Sequence, residues 1–388
     1  MAVLAVCALS ARALAEAAGQ SDYEVISLDL FGDMDTRRAS LEWRSIGDPQ
    51  RLCIEPAQVL RALAELGERG DVIGWVPGGG FDGQMACLAA GAEHLPLIGN
   101  HPNAVARARD PAEFFRVLRR VGGRAPEMRT TWPDDPAGWL LKDARGCGGW
   151  HIQRIEAGVA EAARAGMPVP PHHYLQREAT GVPMSATFLA GDRQVALLGF
   201  NELIVRPIGP RPFVFSGVIG PLPSPAGGAD ALGGQLQTLV LELGLRGLGS
   251  VDFLWQENGQ ALVLEVNTRP PASLSLYGRC FARGLLRAHV EACLRGQWSD
   301  ARLPLPDGEV LGLETVFARQ PVPVDDAVAR RLSTTPGVHD LPSSGTLIEE
   351  GCPLCTVSAQ GATAAQVRAR LRAAAARLLD DIEASETT

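Results

Sequence analysis

The first part of the chain alternates short apolar runs with stretches of helical spacing. The apolar runs have the length of buried strands and cover residues 3–9, 23–30, 72–76 and 95–99. Helical spacing follows at residues 10–18 and 56–69. Strands that alternate with helices predict a parallel, Rossmann-like sheet. The first run also resembles a signal peptide, but no positive charge precedes Arg12, so a buried strand is the preferred interpretation.

The pattern changes in the middle of the chain, where strand-like runs follow one another more closely. Strands are predicted at residues 139–143, 173–179, 184–189 and 194–203, and helices at residues 111–121, 233–244 and 278–295. The Pro- and Gly-rich stretch 205–228 is predicted to be a long loop over a substrate. Beyond a proline-bearing linker, short strands are predicted near residues 310–318 and 346–358, with a closing helix at 364–384.

Residues 249–267 predict a β-hairpin, because an Asn-Gly pair at 258–259 favours a two-residue type I′ turn between two strands. Such a turn sets three opposed pairs: Asp252 with Glu265, Phe253 with Leu264, and Trp255 with Leu262. Asn267 then shares a face with the two acids. Directly opposed like charges destabilise a sheet, so a hard cation such as Mg²⁺ is expected there. The alternative is a solvated hairpin face with two acids on it.

The composition argues against several classes of protein. The formal net charge of −8 predicts no nucleic-acid partner, and no apolar run approaches the length that spans a membrane. Eight scattered cysteines do not form the pattern of a disulfide framework, which fits a reducing cytoplasm. The pair Cys352 and Cys355 lacks a partner cluster for zinc, so two thiols in a turn are expected, with redox activity as the alternative.

The chain has a single lysine, Lys142, among its 36 basic residues. It ends an apolar strand and precedes a Gly-rich loop at 146–149. A compact point charge on a flexible stem suits contact with phosphate. A second Gly-rich loop, residues 78–80, follows a predicted strand, where it is either an anion-binding loop or a plain turn.

Three blocks now stand in order along the chain: Lys142 with its Gly loop, the stretch Gln176-Arg177-Glu178-Ala179, and Asp252 with Glu265-Val266-Asn267-Thr268-Arg269-Pro270. This order resembles the ATP-grasp superfamily, which includes D-alanine–D-alanine ligase and biotin carboxylase. The whole chain is similar to a carboligase-like ATP-grasp branch, part of which is linked to the biosynthesis of one-carbon coenzymes.

The resemblance implies an α/β and α+β architecture. A Rossmann-like domain would occupy residues 1–102, the two lobes of an ATP-grasp fold residues 103–182 and 183–299, and a small C-terminal α+β domain residues 300–388. It also implies ATP and Mg²⁺ as cofactors and allows a homodimer.

The resemblance assigns roles to individual residues. Lys142 would contact the α- and β-phosphates of ATP, and Arg269 would stabilise charge that develops during the reaction. The other roles are a loop over the β- and γ-phosphates (Gly146, Gly148, Gly149), an adenine-binding hinge (Gln176, Arg177, Glu178, Ala179) and Mg²⁺ ligands (Asp252, Glu265, Asn267).

The chain departs from the pattern of the superfamily at three places, one of which is Asp143 after Lys142, where proline is common. Many members carry an ATP-binding lysine after an aspartate, whereas Asp110 here precedes Pro111. Arg107 or Arg109 would have to supply that contact. Pro183 lies about where some members carry a ribose-binding acid.

The resemblance implies an ATP-dependent ligase that joins a small acid, such as an amino acid or a glutamyl compound, to an amine. The acid would become an acylphosphate, and ADP and phosphate would be released. The acceptor pocket is expected at residues 32–37, 77–83 and 205–228, with Arg206 among its residues. A bicarbonate-using carboxylase and a nucleotide-binding sensor without turnover are the alternatives.

Overall fold

A computed structural model describes residues 1–155, 166–225, 229–304 and 308–386. The strands are β1 (Ala2–Cys7), β2 (Tyr23–Asp29), β3 (Glu42–Ser45), β4 (Gly47–Asp48), β5 (Cys53–Ile54), β6 (Val72–Pro77), β7 (Met128–Arg129), β8 (Trp139–Asp143), β9 (Ile152–Arg154), β10 (His173–Arg177), β11 (Val182–Ala190), β12 (Val195–Ile208), β13 (Arg211–Leu222), β14 (Gly247–Trp255), β15 (Ala261–Asn267), β16 (Val310–Phe317), β17 (Val322–Val324), β18 (Val338–His339), β19 (Thr346–Ile348) and β20 (Pro353–Gly361).

The helices are α1 (Arg12–Gly19), α2 (Met34–Arg38), α3 (Pro56–Arg69), α4 (Met85–His94), α5 (Pro102–Arg109), α6 (Pro111–Arg120), α7 (Ala229–Leu243), α8 (Leu285–Arg295), α9 (Asp326–Thr334) and α10 (Ala364–Glu386), with a 3₁₀ helix at Ala272–Tyr277. In the part of the chain that is described, no helix combines the length and the apolar character needed to cross a membrane.

The N-terminal unit is built on a parallel sheet in the order β3-β2-β1-β6. Its strands β1 and β2 are almost wholly buried, as expected for a parallel sheet that is covered on both faces. The predicted Rossmann-like sheet is therefore confirmed. The predicted strand at residues 95–99 is reduced to a single bridge between Trp75 and Leu97.

A small antiparallel sheet in the order β7-β10-β8-β9 follows. Strand β10 pairs with β8 along its whole length, so that Tyr174 lies opposite Lys142 and Gln176 lies opposite Leu140. The pairing brings the predicted hinge strand beside the strand of the only lysine, although the two are far apart in sequence.

A long antiparallel sheet runs in the order β15-β14-β11-β12-β13-β16-β20-β18. Strands β12 and β13 fill most of the stretch predicted to be a loop at 205–228, so that prediction is wrong; residues 226–228 lie outside the described residues. Strand β13 pairs directly with β16, so the predicted C-terminal domain shares this sheet with the second lobe. The division at residue 299 stays a prediction.

The N-terminal unit and the C-terminal strands are joined by a reciprocal pair of carboxylates, which we call the Asp35–Asp340 clamp. Asp35 accepts hydrogen bonds from the backbone N–H groups of Asp340 and Leu341 at 2.8 and 3.0 Å. Asp340 in turn accepts from Arg12 Nε at 2.8 Å. Asp340 has a φ of +53°, a left-handed conformation that is uncommon for a residue with a side chain. The clamp therefore holds residues 340–341 against the N-terminal unit.

We expect Asp35→Ala to lower the free energy of unfolding by about 2 kcal/mol, because it removes the acceptor of two backbone N–H groups. Chemical denaturation measures the loss. Asp134→Ala, which changes an exposed aspartate, serves as the control and is expected to leave the midpoint unchanged. Equal midpoints for both variants would contradict a stabilising role for the clamp.

Candidate functional site

The hairpin that carries the two acids is closed by a three-residue loop rather than the predicted two-residue turn. The Gln256 backbone N–H donates to the carbonyl of Gln260 at 2.9 Å, and Gly259 has a φ of +75°. This arrangement is that of a type I turn followed by a left-handed glycine. The predicted type I′ turn is therefore wrong, and Phe253 lies opposite Val263 instead of Leu264.

A bulge between Asp252 and Phe253 restores the predicted pairing farther along the strands. Asp252 lies opposite Glu265, as predicted, and Ser250 lies opposite Asn267. The longer loop and the bulge each shift the register by one position, and the two shifts cancel. The predicted opposition of the two acids is confirmed, although the turn that led to it is different.

Hydrogen bonds orient the residues that were predicted to hold Mg²⁺. Asn267 Nδ2 donates to Asp252 Oδ2 at 3.0 Å and to Ser250 Oγ at 3.1 Å. Arg269 Nη2 donates to Asn267 Oδ1 at 3.3 Å. Asp252, Glu265 and Asn267 therefore meet on one face of the hairpin, with a guanidinium beside them.

The two opposed acids respond differently to burial. Burial raises the pKa of Asp252, and the neighbouring charge of Glu265 adds to the rise. Burial alone would also raise the pKa of Glu265, but the charges of Arg109 and Lys142 outweigh it and hold that pKa below its ordinary value. A cation bound between the two acids would relieve the repulsion that raises the pKa of Asp252, so this oxygen-rich site fits Mg²⁺.

Lys142 is buried, with 3 % of its surface exposed, and its Nζ donates to Gln176 Oε1 at 3.2 Å. The Gln176 side chain is equally buried, and its Nε2 has no hydrogen-bond partner among the described residues. A buried unpaired donor is costly, so an acceptor on a ligand is expected at this position. Both residues line one cavity.

The predicted hinge residues Arg177, Glu178 and Ala179 also line this cavity. The backbone N–H of Glu178 donates to the carbonyl of Gly138 at 2.9 Å, and its carboxylate forms an ion pair with Arg154. The backbone of the hinge is thus held by the residue that precedes β8. The Glu178 carboxylate binds Arg154 and takes no part in the hydrogen bond between Lys142 and Gln176.

The Gly-rich loop lies against strand β13. The backbone N–H of Phe215 donates to the carbonyl of Gly148 at 2.9 Å. Gly149 has a φ of +78° and lies so close to the carbonyl of Phe213 that a side chain would not fit. Gly148 and Gly149 line the cavity, whereas Gly146 lies beside His151, at the edge of the site.

Sequence reasoning missed Asp82 as a site residue. Asp82 lies in the 77–83 loop, is 2 % exposed and forms an ion pair with Arg269 at 3.4 Å. Burial opposes its ionisation, but Arg269 and Arg109 hold its pKa below the ordinary value. The Gly-rich loop pointed to this segment, but no local pattern indicated a partner so far along the chain.

Arg109, one of the two candidates for the missing lysine, reaches the acidic pair. Its Nη1 lies 3.5 Å from Glu265 Oε2, and its Nε donates to the carbonyl of Ala144 at 3.0 Å. The other candidate, Arg107, is largely exposed and lies near Glu113. The structure therefore brings Arg109, and not Arg107, to the site.

The cavity has a volume of about 720 Å³ and extends from the hinge to the C-terminal strands. Its walls include the residues that were predicted to bind nucleotide and metal, with Gly146 as the exception: Lys142, Gly148, Gly149, Gln176, Arg177, Glu178, Ala179, Asp252, Glu265, Asn267 and Arg269. Gly78 and Gly79 line it as well, as expected for the 77–83 loop.

Two parts of the predicted acceptor pocket lie elsewhere. Arg206 forms an ion pair with Glu314, which lines the cavity, but Arg206 itself does not line it. Residues 32–37 do not line the cavity either, since Asp35 belongs to the Asp35–Asp340 clamp. Both predictions of acceptor contacts are wrong.

Comparison with known proteins agrees with this architecture. Residues 108–273 match the family model of the ATP-grasp domain. A curated relative, the large chain of carbamoyl phosphate synthase from Halomonas eurihalina, is 23% identical over 222 residues, which cover 53% of this chain and 20% of that protein. The chain thus spans about a fifth of the length of this relative.

Solved structures share the fold over nearly the whole chain. N5-carboxyaminoimidazole synthetase from Staphylococcus aureus, complexed with ADP, has a TM-score of 0.67 at 14% identity and covers 96% of each chain. L-amino acid ligase from Bacillus licheniformis has a TM-score of 0.69 at 14% identity and covers 98% of each chain. The predicted ATP-grasp fold is confirmed.

A third structure is the biotin carboxylase domain of 2-oxoglutarate carboxylase from Hydrogenobacter thermophilus, a dimer with MgADP and bicarbonate. It has a TM-score of 0.66 at 14% identity and covers 96% of this chain and 89% of that one. The nucleotides and magnesium in these relatives agree with the prediction of ATP and Mg²⁺.

We expect the affinity for Mg²⁺ in the absence of nucleotide to increase as the pH is raised from about 5 to about 8. The ordinary pKa of aspartate is about 4, and that of Asp252 is higher, so a proton competes with the metal over this range. Calorimetric titration at several pH values measures the change. In Asp252→Asn the remaining affinity should vary less with pH, and an equal dependence in both proteins would contradict this assignment.

Proposed function

We propose that this chain, whose residues 108–273 form an ATP-grasp domain, is an ATP-dependent ligase that joins a carboxylic acid to an amine. The observation that carries the proposal is the meeting of Asp252, Glu265 and Asn267 with Arg269 at one end of a cavity that also holds Lys142. Nucleotide binding alone does not need a set of metal ligands together with two cations that can stabilise charge in the transition state.

In the proposed complex, the adenine of ATP lies at the hinge Gln176–Ala179 and its phosphates extend towards the hairpin. Lys142 donates to phosphate oxygens, and the loop at 146–149 covers them. Asp252, Glu265 and Asn267 would hold Mg²⁺, which neutralises phosphate charge when bound. Their oxygens are already gathered on one face, which supports this placement.

The proposed reaction has two steps. A carboxylate oxygen of the acid attacks the γ-phosphorus of ATP, the bond to the β-phosphate oxygen breaks, and ADP leaves with that electron pair. The nitrogen of the amine then attacks the acyl carbon, the bond to phosphate breaks, and the proton on nitrogen passes to solvent. Arg269 is placed to stabilise the charge that develops in both steps, because Asp82 and Asn267 fix its guanidinium.

The compartment, the role of the cysteines and the small-molecule partners are also proposals. All eight cysteines are unpaired, which supports a reducing cytoplasm as the site of action. Cys352 lies in a turn, but Cys355 lies in β20, so the prediction that both thiols lie in a turn is wrong for Cys355. Burial raises the pKa of Cys355, which argues against a reactive pair. An acid and an amine are the proposed small-molecule partners.

We expect Glu265→Gln to reduce ADP formation by about 10²-fold or more, because the variant loses a metal ligand that acts on charge in the transition state. ADP and phosphate release in the presence of a carboxylic acid and an amine is the measurement. Glu257→Gln, on the exposed loop of the same hairpin, is the matched control and should retain activity.

Three outcomes would overturn the proposal. Formation of AMP and pyrophosphate excludes an acylphosphate made from the γ-phosphate. Turnover that requires bicarbonate but no second acid indicates a carboxylase. Tight nucleotide binding without turnover, with Glu265→Gln altering affinity alone, indicates a sensor.

We expect Gln176 to recognise the adenine ring, because its unpaired Nε2 needs an acceptor and adenine offers N7 beside its amino group. The wild-type protein should bind 7-deaza-ATP about fivefold more weakly than ATP, the effect of one hydrogen bond. In Gln176→Glu, which keeps a partner for Lys142 but loses the donor, the two nucleotides should bind equally. Undiminished discrimination in the variant would contradict this role.

A further inference from the structure

We infer that the end of the cavity beyond the phosphate site binds an unphosphorylated substrate with an apolar body, such as an apolar amino acid. The inference rests on the proposed ligase activity and names the class of molecule that the site accepts. It differs from the expectation that Arg206 is one of the residues of the acceptor pocket.

The order of strands separates this end of the cavity from the metal site. Strand β14 carries Asp252, and β11, β12 and β13 lie between it and β16, so about four strand spacings, roughly 19 Å, separate the two. The cavity nevertheless continues as far as Thr315 on β16 and Thr356 on β20. Space therefore remains for a second molecule beyond the residues assigned to nucleotide.

The wall of this far end is apolar. Leu203, Phe215 and Leu313 line the cavity from the adjacent strands β12, β13 and β16. Each is only partly buried and packs against the same hydrophobic cluster, which also contains Leu14 of α1. Leu9 and Leu14 line the cavity from the N-terminal unit. A substrate between these two walls would bury apolar surface against them.

The cations near this end are already engaged. Among the described residues that line the cavity, the basic ones are Arg12, Lys142, Arg177 and Arg269. The last three belong to the nucleotide and metal half. Arg12 is 5 % exposed and forms ion pairs with Asp340 and Glu16 at 2.8 Å each. A phosphoryl group at this end would thus lose its hydration without gaining an unpaired cation.

Polar groups also line the far end, and one of them is the carboxylate of Glu314, whose Oε2 has no hydrogen-bond partner among the described residues. Thr315 and Thr356 lie opposite each other on β16 and β20, and both line the cavity. Ser10 Oγ donates to Asp340 Oδ1 at 3.2 Å. Hydroxyl groups of this kind fix the orientation of an amino or carboxyl group but do not select for a phosphate.

The first experiment measures ADP release by the full chain with MgATP, using each of the common amino acids, short-chain carboxylic acids, phosphoserine and ribose 5-phosphate as single substrates and in pairs. We expect stimulation by apolar compounds and none by the phosphorylated ones. Binding of MgADP is measured separately by calorimetry, so that a failure of nucleotide binding, which would overturn the proposed function, is distinguished from a failure of this inference.

The second experiment compares Leu313→Ala with Leu311→Ala. Leu311 is two residues earlier on the same strand and packs against the same cluster but does not line this cavity. We expect Leu313→Ala to raise the KM of the best apolar substrate roughly tenfold, with the KM of ATP unchanged, because the pocket loses apolar contact. Leu311→Ala should leave the KM of both substrates unchanged and serves as a control for general effects on packing.

Two results would overturn the inference while leaving the proposed function in place. One is MgADP binding together with turnover that only a phosphorylated compound supports, or that no apolar compound supports. The other is an equal effect of the two leucine variants on the KM of the apolar substrate.

Discussion

Two carboxylates, Asp252 and Glu265, are held against each other by the pairing of β14 and β15, and the rest of the site compensates for that opposition. Like charges in a buried position are stable only when other charges or a cation stand beside them. Arg109 comes from α5 and reaches Glu265, while Arg269 follows β15 and reaches Asn267. Guanidinium groups from two separate elements thus stand beside the two acids.

The N-terminal unit takes part in the same arrangement. Asp82 lies in the 77–83 loop of that unit and forms an ion pair with Arg269, which places an N-terminal residue beside the half of the cavity that Asp252 and Glu265 line. At the other end of the cavity, the Asp35–Asp340 clamp joins the same unit to the C-terminal strands. The cavity is therefore enclosed by three parts of the chain, and its two ends are fixed by different ion-paired contacts. In such an arrangement, the residues at one end of the cavity can differ between proteins and bind different substrates, while the residues at the other end carry out the same reaction.

Local pattern was enough to predict the Rossmann-like sheet and the lysine strand. The predicted opposition of Asp252 and Glu265 is correct only because the longer loop and the bulge cancel in register. Local pattern failed at residues 205–222, where proline and glycine favoured a loop over the two strands that are present. Gly217 explains part of this failure, since a side chain there would lie 3.0 Å from the Cα of Glu314 on the paired strand. Asp82, the role of Arg109 and the position of Arg206 depend on contacts between distant segments or on the face of a strand, which periodicity alone did not reveal.

The Gly-rich loop rests on β13 through the backbone hydrogen bond from Phe215 to Gly148. Because Gly149 lies directly against the backbone of Phe213, the loop and the strand leave no room between them. In the complex that we propose, the nucleotide lies beneath this loop, and the loop would have to lift before the nucleotide leaves, so opening would be a separate kinetic step. In a ligase with this arrangement, one loop movement would control both the release of ADP and the access of water to the acylphosphate. A loop that opens faster would release ADP sooner, but more of the acylphosphate would be hydrolysed.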